Sequence, residues 1–148
     1  MILGTDSQRL FESTALDTSL FIYLIERHPV YADVVRPIFA AANRGECRLV
    51  TSAVTLLEVL IVPYRLRKPD VAVAYEDLLM RSRGVEMIDI DTGQLRVAAE
   101  LRANFGLKTP DALQIAAALT TGCSSFITND KRLPEIPGLS IVQLSQLP

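Results

Sequence analysis

Short, largely apolar runs recur along this chain: Ser13–Leu16, Arg48–Thr51, Val85–Ile88, Ser125–Thr128 and Ser140–Leu144. Two segments of helix length separate each of the first four from the next. The spacing predicts helices over Ser19–Glu26, stopped near Pro29, and over Val34–Arg44, ending at Gly45. Ser52 is placed to cap a third helix running through Val62 and closed by Pro63. Val71–Ser82 precedes Gly84, and Thr92–Phe105 lies between Asp91 as cap and Gly106. Thr109 is read as the cap of the last helix, with Pro110 in its favoured first position and Thr121 at its end. Strands that alternate with helices throughout give an α/β fold: a short parallel sheet with helices on both faces, three layers in all.

The residues present in small numbers remove several function classes. Cys47 and Cys123 are far apart and form no CxxC pair, which excludes a disulfide scaffold and points to a reducing compartment. The only histidine, His28, stands beside Pro29 in what reads as an exposed polar loop. A His-rich zinc or iron site and a Ser/His/Asp triad are therefore not expected. Neither GxGxxG nor GxxxxGK[ST] occurs, so nucleotide-binding loops have no support. A net charge of −2 over 148 residues argues against a DNA-coating protein or a polybasic membrane binder. No signal peptide or membrane span is expected, and a cytoplasmic protein is. Residues 1–12 read as a flexible extension and residues 13–148 as a single domain. The mean hydropathy of +0.27 suggests an apolar surface that a partner or a second copy covers. The nearly all-apolar Leu20–Ile25 points to a homodimer.

Three acids stand alone in uncharged stretches. Asp17 is the only charge between Glu12 and Glu26, Glu58 between Arg48 and Arg65, and Asp111 between Lys108 and Asp130. Asp130 itself follows the strand SFIT directly. Carboxylates are rarely buried unless paired or bound to a cation. Asp17 and Asp130 fall at the carboxyl ends of strands, where open α/β sheets bind ligands. Each has an ordinary reading too. Asp17 would cap a helix, Asp111 would favour a helix dipole, and Asp130 would shape a turn. Glu58, in mid-helix between Leu57 and Val59, has no capping role; facing solvent is its ordinary alternative. Asp89 and Asp91 read as capping residues. A shared set of four carboxylates suits Mg²⁺ or Mn²⁺ rather than zinc, and phosphodiester hydrolysis is the natural chemistry of such a set.

Four segments resemble, in order, the motifs of the PIN-domain ribonucleases, and within them the VapC-type toxins of toxin–antitoxin pairs. They are ALDTSLFIYLIE with Asp17, VTSAVTLLEVL with Glu58, KTPDALQIAAAL with Asp111, and SFITNDKRL with Asp130. The resemblance implies a PIN-like three-layer sandwich and Mg²⁺- or Mn²⁺-dependent cleavage of RNA. Asp17, Glu58, Asp111 and Asp130 would be the catalytic metal ligands and Thr128 an accompanying catalytic group. It also implies a homodimer and a cognate VapB-like antitoxin. That partner would lay an amphipathic helix near the first and third helices and send a cation into the acidic pocket. Lys108, Lys131 and Arg132 flank two of the acids, as phosphate contacts or as ordinary surface charges. The alternatives are a PIN nuclease of RNA processing or DNA cleavage, and a non-catalytic PIN-like binding module.

Overall fold

The computed structural model describes residues 12–147. The expected extension therefore lies, except for Glu12, outside the described residues. Among the described residues eleven elements follow one another: β1 (Ser13–Leu16), α1 (Thr18–Ile25), α2 (Ala32–Asn43), β2 (Arg48–Ser52), α3 (Val54–Arg65), α4 (Pro69–Met80), β3 (Val85–Ile88), α5 (Thr92–Phe105), α6 (Thr109–Thr120), β4 (Ser125–Thr128) and β5 (Ser140–Gln143). A 3-10 turn over Leu144–Gln146 ends them, so the last strand is one residue shorter than its apolar run. Among the described residues no helix is long and apolar enough to cross a membrane.

All five strands are parallel, in the order β3-β2-β1-β4-β5. The chain first builds outward from β1 through β2 to β3, then returns to lay β4 on the other side of β1. The order thus reverses between β1 and β4, where the loops leaving two neighbouring strands diverge and open a crevice. Alternation along each strand sends Leu16, Leu49 and Ile127 into one core and Ala15, Val50 and Phe126 into the other. The first core also holds residues of α1–α4, and the second those of α5 and α6. This is the three-layer α/β arrangement that the alternation of elements implied.

In α6, every residue from Ala112 to Ala118 is buried. Four of these seven are alanines, whose short side chains let the helix lie close to the sheet and α5. The residue at its N-terminal end, Asp111, is held by an element with little room to shift.

Several boundaries differ from the sequence reading. Pro63 does not close its helix, which continues to Arg65 with Pro63 inside it. The ring is buried where α3 meets α4, and the lost backbone bond is outweighed by that packing. Thr109 does not cap α6. Its Oγ1 accepts from Arg102 Nη1 at 2.9 Å, and Lys108 takes the cap position in an extended conformation. His28 is half-buried rather than exposed. Its Nδ1 accepts the backbone N–H groups of Val30 and Tyr31, each at 3.1 Å, and its ring stacks on Tyr31 with centroids 4.9 Å apart.

The entry to β3 is tightly built. Gly84 has φ +81°, and its backbone runs against the end of α2 so closely that a Cβ would stand 2.4 Å from the Ala42 carbonyl oxygen.

Candidate active site

Asp17 is the residue between β1 and α1, and its position follows from both neighbours. Its backbone N–H bonds the Ile127 carbonyl at 3.1 Å, continuing the β1–β4 ladder by one step. Its side chain then caps α1: Oδ1 accepts the Ser19 N–H at 2.8 Å and also the Ser19 hydroxyl. The other oxygen, Oδ2, accepts the hydroxyl of Thr128. Capping and membership of a site are therefore not alternatives for Asp17, because the cap fixes where its carboxylate points.

Thr128, fully buried at the end of β4, links two acids. While donating to Asp17 it accepts the backbone N–H of Asp130 at 3.0 Å. Asp130 also shapes its turn, accepting the Arg132 N–H at 2.9 Å, and pairs with the Arg132 guanidinium. That guanidinium, first through its hydrogen bonds, holds the Asp130 carboxyl below the usual carboxylate range. The Asp130 carbonyl is itself bound by Gln143 Nε2 at 3.1 Å from the neighbouring strand.

Asp111 reaches the same place from the first turn of α6. Burial raises its pKa above the ordinary value, and the negative charges of Asp130 and Asp17 raise it further. Lys108 and Arg132 oppose the shift without cancelling it. The charges of Asp17 and Asp130 thus both reach Asp111, and the three acids sit at the reversal of strand order.

Glu58 stands to one side. It is half-buried on α3 and is not among the charges that move Asp111. It joins the site through Thr18, which donates to Glu58 Oε1 at 2.7 Å. Behind this bond runs a buried chain that the sequence reading missed. Thr51 gives its hydroxyl hydrogen to the Leu16 carbonyl at 3.2 Å, so Thr55, 2.7 Å away, must donate to Thr51. Thr55 then accepts from Gln114 Nε2 at 3.2 Å. Thr18, whose hydrogen is committed to Glu58, accepts from the same nitrogen at 2.6 Å. Gln114 is 3% exposed, and its amide ties α6 to α1 and α3. The available signal was a lone polar side chain inside LQIAAAL. Lys131 is exposed, and Asn129 donates to Tyr23 Oη at 3.1 Å.

The donor set fits a hard divalent cation: carboxylates and hydroxyls, with like charges that a cation would relieve. As the side chains stand, no group of three or more His, Cys, Asp or Glu among the described residues is gathered tightly around one point. Asp17, Asp111 and Asp130 are the acids brought together, and Glu58 is held beside them by Thr18, the residue next to Asp17 in the chain.

The raised pKa of Asp111 sets an expectation for stability. A carboxyl titrating higher folded than unfolded stabilises the fold only while protonated, and that benefit is lost as pH rises through its folded value. Asp111→Asn is therefore expected to be at least as stable as the parent in EDTA at neutral pH. The advantage shrinks as the pH is lowered through the carboxylate range. Thermal melts at the two pH values check this; a clearly less stable variant at neutral pH contradicts it.

The fold has solved counterparts. It is similar to the VapBC complex of Rickettsia felis bound to promoter DNA (TM-score 0.69, 19% identity, covering 88% of this chain and 98% of that one). It is similar to DNA-bound VapBC of Salmonella typhimurium (TM-score 0.69, 22% identity, 90% and 98%). A sarcin-ricin loop cleaving VapC toxin of Mycobacterium tuberculosis follows at TM-score 0.62 and 17% identity, over 76% and 86%. No curated protein matches the chain. The PIN domain family model matches residues 14–139, a span that holds β1 through β4 and all four acids. With that span covering most of the sequence and ending beyond Asp130, the chain belongs to the PIN-domain family.

Proposed function

We propose that this protein is a Mg²⁺- or Mn²⁺-dependent endoribonuclease and the toxin of a VapBC-type toxin–antitoxin pair. The observation that carries the reading is the meeting of three acids at the reversal of strand order, with Thr128 bridging Asp17 to Asp130 and one cleft lined by both Asp130 and Asp111. Charges that repel in a half-buried crevice are costly unless a cation is meant to join them. The similar solved structures include a toxin that cleaves the sarcin-ricin loop and complexes of toxin with antitoxin, which favour RNA and a protein inhibitor.

Asp17, Asp111 and Asp130 would hold the ion, with Glu58 supporting it directly or through water. When bound, it supplies charge neutralisation at a phosphodiester and acidifies water. The chain's own part is positioning. Ser19 and Thr128 fix both oxygens of Asp17, Thr128 also fixes the turn carrying Asp130, and Gln114 and Thr18 hold Glu58. Because α6 is buried, Asp111 has little freedom to move away from the other charges.

The partner proposals are a homodimer and an antitoxin bearing an amphipathic helix. The apolar α1 is covered largely from within, with Leu20 and Phe21 buried and its other apolar residues packed against the core. An exposed apolar set lies on α3 and α4, with Leu57 at 62%, Ile61 at 45%, Tyr64 at 60% and Val73 at 53%. A groove of 680 Å³ runs there between Tyr64 and Val73 and contains none of the four acids.

The purified protein, incubated with total RNA and Mn²⁺, is expected to produce discrete new RNA ends, with none in EDTA. Sequencing those ends gives the target. The same ion is expected to raise Tm, since it binds the folded state alone. Absence of both effects at millimolar Mn²⁺ overturns the reading.

A further inference from the structure

A cleft of 260 Å³ opens between the α5–α6 turn and the loop after β4. Phe105, Leu133 and Pro134 make its apolar wall, Asp111 and Asp130 its acidic part, and Lys108 and Arg132 its basic part. The mixture is unusual because the strongest cation and an acid of the candidate site are joined to each other. Arg132 donates Nε to Asp130 Oδ1 at 3.0 Å and Nη2 to Oδ2 at 3.3 Å. The Arg132 side chain is 83% exposed, so this pair is weak and screened by salt. Asp130 does not depend on it for orientation, because the Arg132 backbone N–H holds Oδ1 at 2.9 Å and Gln143 holds the carbonyl.

A guanidinium and a divalent cation compete for the two oxygens of Asp130. A cation that takes this carboxylate repels Arg132 and competes for its acceptors. The displaced guanidinium remains tethered two residues away, beside Lys108 on the same cleft. Its planar fork matches a phosphate group. The wall of Phe105, Leu133 and Pro134 offers a base an apolar surface that does not discriminate by sequence. We propose, on the nuclease reading above, that this cleft seats an RNA nucleotide next to the scissile bond. Arg132 is its phosphate-binding group, released from Asp130 when the cation arrives.

Two competing contacts for one side chain give effects of opposite sign. In the full chain, Arg132→Gln is expected to tighten Mn²⁺ binding about two- to fivefold by calorimetry, the range of an exposed pair. The same substitution is expected to weaken a short fluorescein-labelled single-stranded RNA about three- to tenfold by anisotropy with Mn²⁺ present, the RNA being verified intact on a gel. The slope of log K against log salt falls by about 0.7, one phosphate contact. Arg132→Lys keeps that slope. Unchanged Mn²⁺ and RNA affinities in Arg132→Gln overturn the inference and leave the nuclease reading standing. Weaker Mn²⁺ binding, or a Tm lowered with both affinities, also overturns it by making Arg132 a support for the loop. A parent protein that binds neither Mn²⁺ nor RNA defeats the nuclease reading itself.

Discussion

Asp17→Asn is expected to slow RNA cleavage at least about 1,000-fold, because a cation's several kcal/mol of transition-state stabilisation is lost, at about 1.4 kcal/mol per tenfold. The substitution is nearly isosteric. An Asn Oδ1 still accepts the Ser19 N–H that caps α1, and the Thr128 hydroxyl can turn to accept from the new amide. Loss of activity and loss of fold are thereby separated. Single-turnover cleavage of the mapped RNA target reads the first, and circular dichroism melts read the second. Activity within tenfold of the parent in a folded variant removes Asp17 from the catalytic set. Asp17 is the sharpest choice among the acids, because it accepts from both Ser19 and Thr128.

The largest loss of stability from one added methyl group is expected at Gly84→Ala. The left-handed conformation there costs a residue with a Cβ about 1–2 kcal/mol. Forcing that Cβ against the Ala42 carbonyl, where it would stand 2.4 Å from the oxygen, adds an overpacking cost of about 1–3 kcal/mol. At about 2–4 °C per kcal/mol for a domain of this size, Tm falls by roughly 5–20 °C. Gly106 supplies the control, since its φ is +68° but a Cβ there would meet nothing within 4 Å. Gly106→Ala therefore carries only the conformational cost, about 1–2 kcal/mol. Equal melting temperatures for the two variants would show that the α2 end yields more readily than close packing suggests.

The sequence makes some of this legible and not the rest, for physical reasons that differ by residue. The strand–helix alternation is a local signal, so β1, β3 and β4 lie at their expected residues. The strand order is nonlocal, and nothing in four apolar residues says which neighbour they will choose. Isolation in apolar stretches marks Asp17, Glu58 and Asp111, since an unpaired carboxylate there must have a reason. The same signal cannot say that the charges of Asp17 and Asp130 both reach Asp111 while Glu58 is tied to Thr18 instead. Gln114 is hidden because its partners, Thr18 and Thr55, are 96 and 59 residues away. Pro63 misleads because local propensity says stop while burial against α4 lets the helix continue. His28 looks like loop, but its ring nitrogen organises that loop by accepting two backbone N–H groups.

The bond from Thr128 to Asp17 spans 111 residues, joining β1 to β4. While the chain is still on the ribosome, β1 can acquire β2 on one side, but its other edge stays open until Ser125–Thr128 emerges. Asp17 has neither its Ile127 backbone partner nor its Thr128 hydroxyl until then, and Asp130 has not arrived. The crevice is therefore completed only after β4 has been made. A chain cut short before β4 keeps Asp17, Glu58 and Asp111 but lacks the strand that brings them into register with the fourth acid. On the proposed nuclease reading, order of synthesis alone keeps a chain without β4 inert beside the RNA-rich machine that is making it.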